Sequence, residues 1–132
     1  MDEYGRTPLH LAVVDRDVPR VRELLASGAN SSVQDDNGWT PLHFAAQDYL
    51  PEVAALLLQH GGTIDAQDSH GNSPLWRAVF CSQGRGELIA MLRRAGADPH
   101  LKNKSGVSPI ELAHRIANYD VQAAVGEARR SP

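Results

Sequence analysis

Residues 35–43 read Asp-Asp-Asn-Gly-Trp-Thr-Pro-Leu-His, and the last four residues of this stretch decide the architecture of the chain. The Thr-Pro-Leu-His of 40–43 also stands at 7–10, and it returns as Ser-Pro-Leu-Trp at 73–76 and as Ser-Pro-Ile-Glu at 108–111. The spacings between the four copies are 33, 33 and 35 residues. A period of this length indicates one small supersecondary unit that is stacked on copies of itself.

The second unit shows how each copy is built. Residues 35–38 form a turn sequence, in which the glycine supplies the backbone freedom that a tight turn requires. Thr40 is expected to cap a first helix that has Pro41 at its first position, where a missing N–H does no harm. A second helix is expected from about residue 52 to 60, and Gly61 ends it. Because such a pair cannot bury its apolar stripe alone, stability must come from stacking the units.

The other units carry the same residue types at equivalent positions. Turn glycines recur at Gly5, Gly38, Gly71 and Gly106, and glycines close the second helices at Gly28, Gly61 and Gly96. With Gly-Ala-Asn at 28–30 and Gly-Ala-Asp at 96–98, the chain resembles the ankyrin repeat family over nearly all of its 132 residues. The resemblance implies an L-shaped stack of helix pairs, with the turns projecting at about a right angle.

We therefore predict an all-α fold, an ankyrin-repeat α-solenoid with projecting β-turn or hairpin loops, as a single domain over residues 1–132. The fourth repeat is degenerate, and its second helix, from residue 120 to about 130, has a polar side that suits a C-terminal cap. The expected repeats cover about residues 2–34, 35–67, 68–102 and 103–132.

Composition limits the class of protein. The chain is 42% hydrophobic, which is enough for one compact core, and its apolar runs are too short to span a membrane. A single cysteine cannot form an internal disulfide, and no secretory signal is recognised at the start of the chain. We therefore predict a monomeric, cytoplasmic protein that does not act on membranes.

The charge is unevenly distributed along the chain. Residues 1–66 hold four basic and ten acidic side chains, whereas residues 67–132 hold nine basic and six acidic ones. In an elongated stack this arrangement makes a dipole that can orient a charged partner, although charges on solvated helix faces would give the same count. The basic residues form no single stripe, so nucleic acid is not the expected partner.

The third repeat is longer than the first two. Pro74 to Gly96 spans 22 positions, but the corresponding stretches in the first two repeats span 20. The extra length falls in residues 81–87, between the two helices. It is either a tolerated lengthening of an exposed connection or a functional loop.

The last residue of the motif also varies. His10 and His43 can hydrogen-bond back to their capping threonines, and Glu111 makes a capping box with Ser108. Trp76 cannot accept such a bond, because an indole is only a donor. Its ring is expected to fill space against a neighbouring turn.

The sequence offers no recognisable catalytic or metal site. Apart from the two motif histidines, the histidines show no ligand spacing with each other or with Cys81. Cys81 has no general base at a recognisable spacing, and residues 84–86 lack the preceding strand of a phosphate loop. We therefore expect no enzymatic activity, no metal and no cofactor.

The family resemblance implies that partners bind a concave face, formed by turn tips and first helices. The aromatic residues among the candidates are typical interface anchors, and Trp39 is the strongest of them, with packing across an adjacent turn as its other interpretation. The candidate contact residues are Tyr4, Arg6, Asp15, Asp36, Asn37, Trp39, Gln47, Asp48, His70, Asn72, Phe80, Lys104 and Arg115.

The resemblance predicts a non-enzymatic scaffold that binds another protein through this concave face. Two alternatives remain open at this stage. One is a specific inhibitor or immunity-type protein that holds a cognate enzyme or toxin inactive. The other is a redox- or anion-responsive module that uses Cys81 and Arg85. The spacing of the motifs by itself indicates only the stack.

Overall fold

The computed structural model describes residues 4–116, and seven α-helices lie within this range. No β-strand occurs among the described residues, so the predicted all-α class is confirmed. The second helix predicted for the fourth repeat lies outside the described residues. The helices are α1 (Pro8–Val14), α2 (Val18–Ala26), α3 (Pro41–Gln47), α4 (Pro51–Gln59), α5 (Pro74–Phe80), α6 (Glu87–Arg94) and α7 (Pro109–Ile116).

The helices form two rows, as expected for stacked pairs. The first helices α1, α3, α5 and α7 pack side by side, and the second helices α2, α4 and α6 make the other row. Each first helix from α1 to α5 also packs against the second helix of its own repeat. The core lies between the rows, where the largest buried side chains include Leu9, Leu42, Leu57, Leu75 and Leu92.

The motif residues start the first helices in the predicted way. The Oγ1 atom of Thr40 accepts the backbone N–H of His43, and the Nδ1 atom of His43 accepts the N–H of Thr40 at 3.0 Å. Thr7 and its histidine repeat this arrangement in α1. In α7 the N–H of Ser108 donates to the Oε1 atom of Glu111 at 2.9 Å, which confirms the capping box there.

The motif histidine also joins one repeat to the next. The Nε2 atom of His10 lies 2.8 Å from the carbonyl oxygen of Trp39, and His43 reaches the carbonyl oxygen of Asn72 at the same distance. Trp76, which replaces this histidine in the third repeat, has an indole N–H without a hydrogen-bond partner among the described residues. Its ring stacks on Phe80 of the same helix, with 5.4 Å between the ring centroids.

The extra residues of the third repeat lie between its helices, as the sequence predicts. Residues 15–17 and 48–50 connect the helices of the first two repeats, whereas residues 81–86 connect α5 and α6. The longer connection turns back over the second repeat, because the guanidinium of Arg85 lies 3.9 Å from the ring centroid of Tyr49.

Candidate binding groove

The turns of the second, third and fourth repeats are each held by one side chain at the start of the turn. The Oδ1 atom of Asp35 accepts the backbone N–H groups of Asn37 and Trp39, each at 2.9 Å. Asp68 and Asn103 hold the next two turns with the same pair of bonds. The acidic or amide residue that the sequence repeats at this position therefore gives the turns one common shape.

Successive turns are joined edge to edge by backbone hydrogen bonds. The donor and acceptor pairs are Asp36 N–H to Tyr4 O (2.8 Å), Ser69 N–H to Asn37 O (2.9 Å) and Lys104 N–H to His70 O (3.0 Å). The stacking brings five of the predicted contact residues to one exposed edge of the molecule. They are Tyr4, Asp36, Asn37, His70 and Lys104.

Trp39 lies where the second turn meets the first helix of its repeat. Its ring centroid is 4.7 Å from that of Phe44 and 5.6 Å from that of His43, and the side chain is half-buried. Phe44 in turn meets the ring of His10 edge-on at 5.9 Å. Trp39 therefore has a packing role within its own repeat, and its remaining surface faces the groove described below.

Two arginines lie against these aromatic rings. The guanidinium carbon of Arg6 is 5.1 Å from the ring centroid of Tyr4 and 5.2 Å from that of Phe44. The guanidinium carbon of Arg77, on α5, is 5.1 Å from the ring centroid of Trp39. These distances are typical of cation–π contacts, which favour a fixed position of the guanidinium over the ring.

Turns and first helices together enclose a groove of about 420 Å³. It spans the first three repeats and is open on one side. Five predicted contact residues line it, together with four other residues. The lining residues are Arg6, Asp35, Asn37, Trp39, Phe44, Gln47, Ser69, His70 and Arg77.

The charges around this groove are partly compensated. The Nε atom of Arg6 lies 3.8 Å from the Oδ2 atom of Asp35, whose side chain is almost fully buried. The guanidinium of Arg77 makes no hydrogen bond or ion pair with any residue between 4 and 116. The Oδ2 atom of Asp68, the turn residue of the third repeat, is also buried without a hydrogen-bond partner within the described part of the chain. The groove is therefore lined by polar and aromatic side chains. Not every charged group in or beside it has a hydrogen-bond or ion-pair partner among the described residues.

One titratable group beside the groove is held neutral. Burial lowers the pKa of His43 below its usual 6.5, against the smaller raising effects of its bond to the Asn72 carbonyl and of the carboxylates of Asp68 and Asp35. The Arg77 charge acts in the same direction as burial. The histidine therefore accepts at Nδ1 and donates at Nε2, as both of its hydrogen bonds require.

The other predicted contact residues lie outside the groove lining. Asp15 and Asp48 follow the last residues of α1 and α3, and their backbone N–H groups cap those helices. Phe80 is 58% exposed at the end of α5, beside Arg77. Arg115 is exposed on α7.

The structure corrects the expectation for Asn72. The residue is only 6% exposed, and its Oδ1 atom accepts a hydrogen bond from the Nδ2 atom of Asn103 at 2.9 Å. Its carbonyl oxygen is the acceptor for His43. Asn72 therefore joins neighbouring turns in the interior, because the next turn stacks over it, and it is not available to a partner.

Phe44 and Arg77 are not among the predicted contact residues, although the sequence contains a signal for them. Both stand one position after the four-residue motif, 33 residues apart. Each precedes a predicted contact residue by three positions, Gln47 and Phe80 respectively, and residues three apart share one face of a helix. The predicted contact face of the first helices could therefore have included Phe44 and Arg77, which lie about one helical turn closer to the motif.

Cys81 and Arg85 lie in the inserted connection without forming a site. The cysteine is half-buried at the end of α5. The Nε atom of Arg85 donates to the carbonyl oxygen of Ser82 at 3.0 Å while its guanidinium lies over Tyr49. These contacts give Arg85 a structural role in holding the loop, and nothing in them supports the redox- or anion-responsive alternative.

The described part of the chain contains neither a metal-ligand cluster nor a membrane-spanning helix. Between residues 4 and 116, no three side chains of His, Cys, Asp or Glu lie close enough together to hold a metal ion. No helix in this range has the length and apolar character needed to cross a bilayer.

Most of the chain matches a known protein family. Residues 9–103 match the family model described as ankyrin repeats (3 copies). A search of curated proteins found no match. Because the family model covers well over half of the 132 residues, the chain belongs to the ankyrin repeat family. Members of this family are generally protein–protein interaction modules, and they are typically non-enzymatic.

Proposed function

We propose that this protein is a non-enzymatic scaffold that binds one partner protein across the concave face formed by its turns and first helices. The observation that carries the proposal is the groove of about 420 Å³ between these elements, which gathers five of the contact residues that the sequence predicts. The groove is built on rigid elements, because backbone bonds join neighbouring turns and the first helices pack on one another.

Aromatic and arginine side chains support an interface on this face. Trp, Tyr and Arg carry a large share of the binding energy in protein interfaces, where they contribute large surfaces at low conformational cost. Here Tyr4 and Phe80 are exposed large side chains, and Trp39 is half-buried between them. Because Trp39 is already held by Phe44, binding a partner would cost little side-chain entropy at this position.

The contact set that we propose is the predicted one without Asn72. Turn-tip residues Asp36, Asn37 and His70 are exposed above the groove, and Gln47 lies in its wall. Asp15, Asp48, Lys104 and Arg115 would extend the contact beyond the groove in both directions. We further propose that the chain forms a single domain and acts as a monomer. It would hold its partner in a reducing compartment.

The proposal is tested by filling the groove with a bulky side chain. Gln47 is exposed at the end of α3, so Gln47→Trp should place an indole in the groove without disturbing the core. With the full chain as bait and cross-linked proteins identified by mass spectrometry, recovery of the partner should fall by about tenfold or more, which corresponds to the loss of one strong interface contact.

Gln59→Trp is the matched control. This glutamine is also exposed and also ends a helix of the second repeat, but it belongs to α4 in the other row of helices. It should leave both the partner recovery and the melting temperature as they are in the unchanged chain. Equal recovery by all three proteins, or equal loss with both variants, would contradict binding through the concave face.

A further inference from the structure

Arg77 is held among aromatic rings from two neighbouring repeats. Its guanidinium carbon lies 5.1 Å from the ring centroid of Trp39, 5.3 Å from that of Phe80 and 5.8 Å from that of Trp76. Cations within about 6 Å of a ring centroid are attracted to the ring face. The stacked rings of Trp76 and Phe80 thus support the guanidinium from its own helix, and Trp39 supports it from the preceding repeat.

This guanidinium has no polar partner in the described part of the chain. The Nε atom of Arg77 is buried and makes no hydrogen bond, and no carboxylate oxygen of residues 4–116 lies within 4.0 Å of the side-chain nitrogens. Buried donors in proteins are nearly always hydrogen-bonded. The other arginine of the groove has a carboxylate beside it, since the Nε atom of Arg6 lies 3.8 Å from the Oδ2 atom of Asp35.

A guanidinium that is held by aromatic rings and lacks a polar partner is well placed to bind a carboxylate. Arginine presents its N–H groups in a planar fork that matches a carboxylate with two parallel hydrogen bonds, and stacking on aromatic rings fixes the plane of the fork beforehand. Arg77 lines the groove, so an acidic side chain that enters the groove can reach it. The exposed ring of Phe80 beside it offers an apolar contact for the neighbouring residue of the same segment.

We propose that Arg77 is the anchor of an acidic segment of the partner protein, with an Asp or Glu carboxylate paired to its guanidinium and an apolar residue packed on Phe80. This inference rests on the proposed function and names the kind of partner segment that the concave face takes.

The charge of the whole chain favours the same partner. Residues 67–132 carry nine basic and six acidic side chains, whereas residues 1–66 carry four basic and ten acidic ones. An acidic segment is therefore attracted to the third and fourth repeats and repelled by the first two. Beyond Arg77 on this side lie the exposed Lys104 and Arg115, so the acidic residues of the segment should continue from the groove towards the fourth repeat.

A basic segment fits this place less well. The unpartnered Oδ2 atom of Asp68 would suit a cation, but the aromatic face of Trp39 is already covered by the Arg77 guanidinium. A lysine or arginine of a partner would also be repelled by Arg6 and Arg77 in the same groove. The structure therefore argues against a partner segment that is rich in Lys and Arg.

The test uses a phage-displayed library of random peptides, selected on the full chain. The unchanged protein should select peptides enriched in Asp and Glu, often next to an apolar residue. Arg77→Gln should weaken binding of these peptides by about ten- to a hundredfold, as expected for the loss of a charge-assisted hydrogen-bonded pair. Arg77→Lys keeps the charge without the planar fork, so its binding should lie between the two, and added salt should weaken binding to the unchanged protein more than to Arg77→Gln.

Arg94→Gln is the control for loss of a positive charge. Arg94 is exposed at the end of α6, in the other row of helices, and its replacement should leave peptide binding unchanged. Urea unfolding of each variant checks that the fold is retained. If Arg77→Gln does not fold, peptide binding by Arg77→Lys is compared with peptide binding by Arg94→Lys instead.

The outcomes separate this inference from the proposed function. Peptides that bind Gln47→Trp as tightly as the unchanged protein do not use the groove, and they would contradict both proposals. Peptides that lose binding to Gln47→Trp but show no acidic enrichment, or a basic one, would overturn the role of Arg77 alone. Groove-dependent peptides that bind Arg77→Gln as tightly as the unchanged protein would also overturn it, and so would a selection that yields no peptide.

Discussion

At the scale of single residues, the motif histidine performs two structural tasks at once. His43 caps its own helix by accepting the N–H of Thr40 at Nδ1, and its Nε2–H donates to the carbonyl of Asn72 in the following repeat. Both bonds require the neutral ring with its proton on Nε2. Protonation of Nδ1 would remove the first bond, and burial of the side chain adds to the free energy that a positive charge would cost there.

The free energy of unfolding should therefore depend on pH through His43. Because burial lowers its pKa in the folded protein, the unfolded chain binds more protons once the pH falls below the usual histidine value of 6.5. The contribution of the neutral ring is complete above that value and is lost as the pH falls towards the lowered pKa. Urea unfolding across this window should show less loss of stability for His43→Gln than for the unchanged chain.

Two comparisons make this pH prediction specific. His100→Gln replaces an exposed histidine and serves as the control for the substitution itself. Glu111 has a pKa lowered from 4.5 by its hydrogen bonds from Ser108, so its own contribution is complete above that value, and measurements between pH 4.5 and 6.5 exclude its loss. An identical loss of stability in His43→Gln and in the unchanged chain would contradict a neutral buried ring.

The residue scale also shows where interpretation of the sequence fell short. The motif predicted the caps of Thr40 and Ser108 because a cap depends on residues three positions apart, which the sequence displays directly. Asn72 was expected on the surface, yet the adjacent turn covers it. Arg77 was overlooked because its environment comes from Trp39, which is 38 positions away in the chain.

At the scale of elements, the turns are stacked so closely that a single methyl group decides the fit. Gly38 has φ of +79°, and a Cβ atom added to it would lie 2.8 Å from the Cα atom of Asp68 in the next turn. Gly106 has the same φ of +79°, but a Cβ atom there would meet no atom of residues 4–116 within 4 Å. The pair therefore separates the backbone requirement for glycine from the close approach of neighbouring turns.

Alanine at these two glycines should destabilise the protein to different extents. Gly106→Ala carries only the left-handed backbone penalty, about 1–2 kcal/mol in the free energy of unfolding. Gly38→Ala should cost a further ~1–3 kcal/mol, because backbone atoms of the adjacent turn must move. Urea unfolding of the two variants measures the difference. Equal losses would show that the turns are not packed as closely as described.

The inserted connection belongs to the same scale. The first two repeats set the expected spacing, and comparison with them predicts that the extra residues of the third repeat lie between its two helices, where the structure places them. The contact of Arg85 with Tyr49 could not be predicted in this way, since it depends on how the third repeat is rotated against the second. The sequence shows the length of a loop directly, but it does not show which surface the loop covers.

At the scale of the whole molecule, equivalent residues differ according to their place in the stack. Leu57 on α4 is fully buried, because α4 packs against α2 on one side and α6 on the other. Leu24 stands 33 positions earlier on α2, and it is half-buried beside an apolar cavity of about 260 Å³. The same residue type at the same repeat position is therefore covered by a neighbour in one case and only partly covered in the other.

Truncation of these two leucines should reveal the difference. Leu57→Ala should lower the free energy of unfolding by about 2–5 kcal/mol, since it leaves a cavity between packed helices. Leu24→Ala removes a half-buried side chain and should cost clearly less, about 1–2 kcal/mol. Urea unfolding again supplies the measurement. A larger loss for Leu24→Ala than for Leu57→Ala would contradict the assigned positions in the stack.

The sequence by itself determined the repeat, its caps, its turns and the class of fold, because each of these depends on residues close together in the chain and recurs at a period of about 33. Tertiary structure alone decided which of the repeated positions face outward. It buried Asn72 between turns, and it placed Arg77 against Trp39 and left it without an ionic partner among the described residues. The physical reason is that stacking creates neighbours one repeat away, whose contacts depend on the spacing and rotation between layers.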